Sequence, residues 1–306
     1  MAGRKKLDVV AVGNLNIDLI GRADRLPAKD EKLLLQELTL SPGGGAANFA
    51  VGCSRLGLKV GFVGRVGNDE FGLKVLASLR REGIDLSRVK IVRAPTGIVF
   101  SLSTLRGDHF LVAHRGANAF LSPADVAKDY LKQARLVHAS SVTTRVALAV
   151  GSRARRLGIL SSLDLGAELS ALPKRKLEEI LGLFDLCFLN RRAYKEIFGE
   201  KPTKRGLVKN FPSGLKVLAV TLGPRGAMAC NGRRAFQAPS FKVNIKDTTG
   251  AGDAFAAAFV AAWLQGADLE KALKHGLAGA ALKIQHVGAR KGLPTAKELQ
   301  EFLRRA

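Results

Sequence analysis

Asp247-Thr248-Thr249-Gly250-Ala251-Gly252-Asp253 decides how this chain is read. A short apolar run, Phe241, Val243 and Ile245, precedes it and reads as a strand. Phe255, Phe259 and Trp263 follow at four-residue spacing and read as one face of a helix. The two glycines therefore fall where a strand turns into a helix. Unpaired backbone N–H groups and the positive end of the helix dipole make such a turn a site for phosphate. Asp253 lies within the first helical turn. A carboxylate beside an anion site is a liability if the site only binds phosphate. It is useful if it takes the proton from a hydroxyl that attacks a phosphoryl group. Taken alone, Gly-Ala-Gly-Asp is equally compatible with a helix start whose acidic residue complements the dipole.

A second small-residue turn lies upstream. Ser41-Pro42-Gly43-Gly44-Gly45-Ala46-Ala47-Asn48 opens a helix that ends near Leu56-Gly57, where the glycine reads as a C-cap. Three glycines let the backbone approach a ligand closely, and Asn48 brings both a donor and an acceptor. Further segments punctuate the chain: Gly13-Asn14-Leu15-Asn16-Ile17-Asp18, Gly64-Arg65-Val66-Gly67-Asn68-Asp69-Glu70-Phe71-Gly72, His114-Arg115-Gly116-Ala117-Asn118 and Val220-Thr221-Leu222-Gly223-Pro224-Arg225-Gly226. In order and spacing, and along nearly the whole chain, these motifs resemble those of the ribokinase-like (PfkB-type) carbohydrate kinases.

Composition sets the bounds. A chain of 306 residues with 47% hydrophobic content has room for one α/β domain plus an excursion. Cys53, Cys187 and Cys230 are scattered without CxxC spacing, which suits a reducing cytosol rather than a disulfide framework or a zinc site. The basic Arg4-Lys5-Lys6 before an apolar stretch superficially resembles a signal peptide, but Asp8, Asn14, Asn16 and Asp18 interrupt it, so it reads as a first strand. No apolar run approaches the ~20 residues of a membrane helix, and a cytoplasmic protein is expected. The net charge of +23 is spread along the sequence, with short clusters at 153–156, 174–176 and 304–305. With 6% aromatic residues and no aromatic-interleaved basic stripe, it reads as a solvated cationic surface that also raises the local concentration of ATP, rather than as a nucleic-acid interface.

Apolar runs at Leu7–Val12, Leu136–Ala139, Leu160–Leu163, Leu186–Leu189 and Val217–Thr221 alternate with helical patterns. Ser122-Pro123 marks the start of a helix over 125–133, and Thr295 to Glu298 is a capping box for the last helix. This alternation predicts an α/β fold, a three-layer, mostly parallel sheet with helices on both faces, with its site at the carboxyl ends of the strands. Two stretches break the pattern. Lys32–Leu40 is strand-like, and Gly97 to Arg115 reads as two strands around Arg106-Gly107-Asp108. The expected organisation is a core of 1–17, 41–96 and 116–306, and a small β-sheet of 18–40 and 97–115. The resemblance implies that this sheet is a lid over the acceptor, and in some members a homodimer contact; an ordinary edge of the main sheet is the alternative.

The resemblance also implies roles. Asp253 would be the general base, and the N–H groups of Gly250, Ala251 and Gly252 the anion hole for the γ-phosphoryl group. Asn16 and Asp18, two residues apart and so on one side of a strand, would bind the acceptor with Gly43, Gly44 and Asn48. Arg115 would reach acceptor or phosphate from the lid, or lie in a surface ion pair. Asn190, Thr221, Gly223 and Gly226 would hold ATP, with His286 and Gly288 near the adenine. Mg²⁺ would accompany ATP. Asp247 and Thr249 match positions that in some members help hold a monovalent cation such as K⁺; Asp247 equally suits a loop cap. One departure stands out. The family's Asn-x-x-Glu is here Asn190-Arg191-Arg192-Ala193, which leaves Glu196, a turn further on, and Asp164 as candidates for outer contacts to Mg²⁺. The expected reaction is transfer from MgATP to a hydroxyl of a small sugar or polyol. A nucleoside kinase is the alternative, since Gly45 stands where ribokinase proper has lysine. A basic nucleic-acid-binding protein on a kinase-like scaffold is a third reading, against which the intact Gly-Ala-Gly-Asp speaks.

Overall fold

The computed structural model describes residues 5–104 and 109–305. The first half runs β1 (Leu7–Gly13), β2 (Asn16–Ala23), β3 (Glu37–Gly43), α1 (Gly45–Arg55), β4 (Val60–Gly67), α2 (Glu70–Arg81), β5 (Asp85–Val92), β6 (Gly97–Thr104) and β7 (His109–His114). There follow α3 (Lys128–Leu131), β8 (Ala134–Ser140), α4 (Thr144–Leu157), β9 (Leu160–Asp164), α5 (Ala167–Ser170), α6 (Lys174–Leu181), β10 (Leu186–Asn190), α7 (Arg191–Phe198) and α8 (Lys204–Lys209). The last part holds β11 (Val217–Thr221), β12 (Ala227–Cys230), β13 (Ala235–Ala238), α9 (Ala251–Leu264), α10 (Leu269–Lys283) and α11 (Ala296–Arg305).

Among the described residues, nine strands form one sheet in the order β13-β12-β11-β10-β9-β8-β1-β4-β5, with every neighbouring pair parallel except β11–β12 and β12–β13 at one edge, which are antiparallel. Strand periodicity builds a core on each face. In β1, Val9 and Ala11 join the core beneath α1, α9 and α10, while Val10 and Val12 join the core beneath α4 and α6. In β10, Leu186 and Phe188 face the first core, and Cys187 and Leu189 the second. This is the expected three-layer arrangement, with β4, β5, β12 and β13 added to the strands anticipated from sequence. A second sheet, β3-β2-β6-β7, stands apart. Its β2 pairs antiparallel to β3 and parallel to β6, and Leu38, Leu40, Phe110, Leu111 and Val112 are exposed on it.

Three local expectations are corrected. The apolar run 241–245 is not a strand: beyond it, the N–H groups of Lys246 and Asp247 donate to Ile284 O at the end of α10 (2.8 and 3.2 Å), not to a sheet. The helix expected over 125–133 is split into a 3₁₀ turn, Pro123–Asp125, and the short α3, because the Asp125 carboxylate turns in to Ser122 N–H, Arg65 and Lys90. The strand expected from Lys32 begins at Glu37, where the pairing with β2 starts opposite Arg22. The anticipated turn at 106–108 lies outside the described residues. The capping box at the last helix is present: Thr295 N–H and Oγ1 both donate to Glu298 Oε2 at 2.8 Å. Among the described residues, no helix is long and apolar enough to cross a membrane.

Candidate active site

Two helices that start at glycine turns bring the chemistry together. Gly44, with φ +96°, precedes α1, and a Cβ there would stand 2.4 Å from Asn14 O. Gly250, with φ +78°, precedes α9, and a Cβ there would stand 2.6 Å from Ala289 O. Both turns therefore need glycine. The helices then pack through small side chains: a Cβ on Gly52 would come within 2.8 Å of the Ala257 methyl. That close approach lets Asn48 Nδ2 donate to Asp253 Oδ2 at 2.8 Å, across a sequence separation of 205 residues.

Behind Asn48 lies Arg290, which the sequence reading passed over. It is 8% exposed, and its Nε donates to Asn48 Oδ1 at 3.0 Å, one terminal nitrogen to Gly43 O at 2.9 Å and the other to Ser78 Oγ at 2.8 Å. A guanidinium only donates, so it fixes the Asn48 amide with its oxygen toward Arg290 and its NH₂ toward Asp253. It stands two residues past Gly288. Burial pulls the Arg290 guanidinium down to about 10, while Asp18, Glu82 and Asp253 act in the opposite sense.

Asn16 and Asp18 leave β2 on one side and are buried. Asp18 packs so closely against Gly43 that a Cβ at residue 43 would overlap its carboxylate, 2.1 Å from Oδ2. Asn16 is held by Asn118, whose Nδ2 donates to Asn16 Oδ1 at 2.8 Å, to Leu15 O at 3.1 Å and to Arg115 O at 3.0 Å. Asn118 is a second residue whose part the sequence reading missed, although the motif containing it was quoted. Arg115 itself forms an exposed ion pair with Glu168 of α5.

The carboxyls here are hard to ionise. Burial, then the nearby Asp164, then Asp18 push Asp253 up to about 8; the Asn48 hydrogen bond and Arg290 oppose them. Burial raises Asp18 to about 6, Arg290 lowering and Asp247 raising it further. Burial alone raises Asp164, at the end of β9, to about 6.

On the other side of α9 lies an apolar cavity of about 410 Å³. Thr221, Gly223 and Gly226 line one wall, and Ala251 and Gly252 its end. The other walls include Phe241, Lys242, Val243 and Ile245 of the irregular segment, Phe255 of α9, and Ala280, Ala281 and Ile284 at the end of α10. Gly252 is exposed, and a Cβ there would meet nothing within 4 Å. Ala251 N–H already closes the turn onto Thr248 O at 3.1 Å. Residues 286 and 288 do not line this cavity. His286 is exposed, with its ring against Gly292, and Gly288 N–H donates to Asp247 Oδ2 at 2.7 Å. Asn190 caps α7, its Oδ1 accepting from Ala193 N–H at 2.8 Å. Ala193 is buried, whereas Glu196 is exposed and paired with Arg192 at 2.7 Å. Among the described residues, no group of three or more His, Cys, Asp or Glu side chains is placed to hold a metal ion.

Comparison with known proteins finds relatives along nearly the whole chain. The profile of the pfkB family carbohydrate kinases matches residues 6–296. An ATP-dependent ribose-1-phosphate kinase of Halopiger xanaduensis is 32% identical, the match spanning 96% of this chain and 97% of the relative. A ribokinase of Bacillus subtilis is 30% identical over 97% and 99% of the two chains. Among solved structures, an Arabidopsis thaliana ribokinase complexed with ribose and ATP superposes with a TM-score of 0.86 at 27% identity, covering 97% of this chain and 99% of that one.

Proposed function

We infer the reaction from a chain that belongs to the pfkB family of carbohydrate kinases: Asp253 takes the proton from a hydroxyl of a small sugar or polyol as that oxygen attacks the γ-phosphoryl group of ATP. The observation that carries this reading is the Asn48–Asp253 hydrogen bond, which joins the two glycine turns into one polar corner. On one side of that corner, Asp18 accepts from acceptor hydroxyls, and a charged acceptor makes stronger hydrogen bonds than a neutral one. On the other, the cavity beside Gly252 takes the nucleotide, apolar enough to cover a base. The start of α9 supplies N–H groups to the transferring phosphoryl group, Gly252 with open access and Ala251 once its bond to Thr248 yields.

Asp253 with a pKa near 8 suits a base that must lose its proton to work close to neutral pH. The donor set fits an Mg²⁺ carried mainly by phosphates and water, since among the described residues no cluster of His, Cys, Asp or Glu encloses one; Asp164 is the carboxylate beside Asp253 that would hold its water. Bound with ATP, Mg²⁺ neutralises phosphate charge. The small sheet, whose β2 carries Asn16 and Asp18, is then the acceptor's cover. Gly45 offers the acceptor no side chain, and a Cβ there would stand 2.8 Å from Ser140 Oγ.

The relatives named above point to pentoses and their phosphates as first acceptors to try. The test is an ATP-dependent phosphorylation assay over D-ribose, ribose 1-phosphate, keto-deoxy sugar acids and nucleosides, with product identified by ³¹P NMR. ADP formation dependent on a sugar and lost in Asp253→Asn supports the reading. Turnover restricted to nucleosides, or no acceptor-dependent ADP at all, overturns it.

A further inference from the structure

Lys283, the last residue of α10, has no exposed surface. Lysine is seldom buried without a carboxylate partner, yet Nζ here donates to two backbone carbonyls, Asp247 O at 3.0 Å and His286 O at 3.4 Å. Those carbonyls belong to two segments that converge behind the anion corner. One carries Asp247 to the Gly250 turn; the other runs from α10 to Arg290. The Asp247 carboxylate beside them is already occupied. Oδ1 accepts from Thr249 N–H at 2.9 Å and Thr249 Oγ1 at 2.7 Å, and Oδ2 accepts from Gly288 N–H at 2.7 Å.

Backbone carbonyls gathered near a carboxylate are the donors a hard cation takes. The expectation that Asp247 and Thr249 help hold such an ion therefore does not fit this chain: a tethered ammonium is in the carbonyl cradle, and N–H and O–H donors already bond both oxygens of the carboxylate, taking three of its roughly four acceptor positions. We propose that Lys283 serves as a built-in monovalent cation, tying the 247–250 turn to the 284–290 segment so that the start of α9 faces the phosphoryl group without any K⁺. The role in catalysis rests on the kinase reading above; the occupancy of the cradle does not. The charged groups facing Lys283 are the Asp247 and Asp253 carboxylates, both of which favour its charged form against the cost of burial. Lys283 touches no reacting atom and is a positioning residue.

The experiment compares thermal unfolding, ADP affinity and turnover in KCl, NaCl and tetramethylammonium chloride at one ionic strength. For the wild-type protein all three are expected to be the same in each salt. A saturable, K⁺-specific rise in its melting temperature, ADP affinity or rate overturns the proposal. Lys283→Met keeps the bulk of the side chain and removes the charge. It is expected to lose about 10–100-fold in rate, the range for groups that orient a binding site, and to regain stability, ADP affinity and rate with K⁺ or NH₄⁺. A folded Lys283→Met protein indifferent to every cation overturns the proposal. If that variant does not fold in any salt, the wild-type comparison decides alone. Melting and ADP binding need no acceptor, so failure of the kinase reading would appear as missing phosphotransfer while the salt comparison still stood or fell separately.

Discussion

The polar corner proposed for the acceptor and the cavity proposed for the nucleotide lie on two sides of α9 and are built by opposite means. The corner is a buried polar network: Arg290, Asn48, Asp253, Asp18 and Gly43 are joined by direct hydrogen bonds or by contact too close for a Cβ. The cavity is a mainly apolar space whose walls include Thr221, Val243 and Ile245 of an irregular segment, Phe255 of α9 and the end of α10. A polar network fails when one member is lost, because a buried donor or acceptor without a partner costs about 1–3 kcal/mol, more if charged. An apolar wall yields by degrees, through volume and area. Substitutions in the corner should therefore act on chemistry and acceptor in large steps. Substitutions in the cavity should act on ATP alone, and gradually.

The largest effect is expected at Asp253. Asp253→Asn keeps the shape and the Asn48 contact but removes the base, and should lower kcat by about 10²–10⁴-fold with ADP affinity nearly unchanged by calorimetry. A variant with more than about a tenth of wild-type kcat would remove Asp253 from that role, since general-base catalysis is typically worth at least ~10²-fold. The same variant carries a stability signature with a defined sign. In the folded protein the Asp253 pKa lies near 8, raised from 3.8. Between those values the unfolded chain ionises and the folded one does not, so wild-type stability falls as pH rises from 3.8 to 8 and then levels. The melting temperature of Asp253→Asn relative to wild type should grow across that window; a constant difference would count against the perturbed carboxyl.

Next comes Asp18→Ala, which removes a charged hydrogen bond worth about 1.5–3 kcal/mol. It should raise the acceptor KM by about 10–100-fold, and the KM for ATP little. Equal shifts of both constants would mean that corner and cavity are not separable as described. In the cavity, Ala281→Leu should crowd the nucleotide and raise the KM for ATP several-fold at constant acceptor KM. A change in the acceptor constant instead would place the base elsewhere. The smallest effect is expected at Glu196. Its partner is the exposed Arg192, an i,i+4 pair worth about 0.3–0.5 kcal/mol. Glu196→Ala should leave the Mg²⁺ titration at fixed ATP where it was. A shifted titration would show that the helix after Asn190 serves the metal in spite of Ala193.

The same contrast governs what the sequence made legible. The corner could be read early because its chemistry sits in local motifs: glycines at left-handed or crowded turns, a carboxylate in a first helical turn, Asn16 and Asp18 at strand spacing. Alternation of apolar runs and capped helices was enough for the parallel sheet. Arg290 was missed because a lone arginine in a basic chain carries no periodicity. Its role follows only from the tertiary meeting with Asn48. The walls contributed by Ala280, Ala281 and Ile284 were missed because residues that line an apolar cavity are the same types that fill a core. His286, which the resemblance puts near the adenine, lies on the surface against Gly292 and does not line the cavity. The run at 241–245 reads as a strand by its alternation, yet the backbone just beyond it bonds to the end of α10.

The most direct test of the central claim is the pH dependence of kcat/KM for the acceptor, in wild type and in Asn48→Ala. If Asp253 is the base and Asn48 holds its charged form, log kcat/KM should rise with pH and level near 8 in the wild-type enzyme, as free-enzyme ionisations do. In Asn48→Ala the break should move to higher pH, because the hydrogen bond that favours the carboxylate is gone. A flat wild-type profile between pH 6 and 9, or a break that stays in place when Asn48 is removed, would contradict the account.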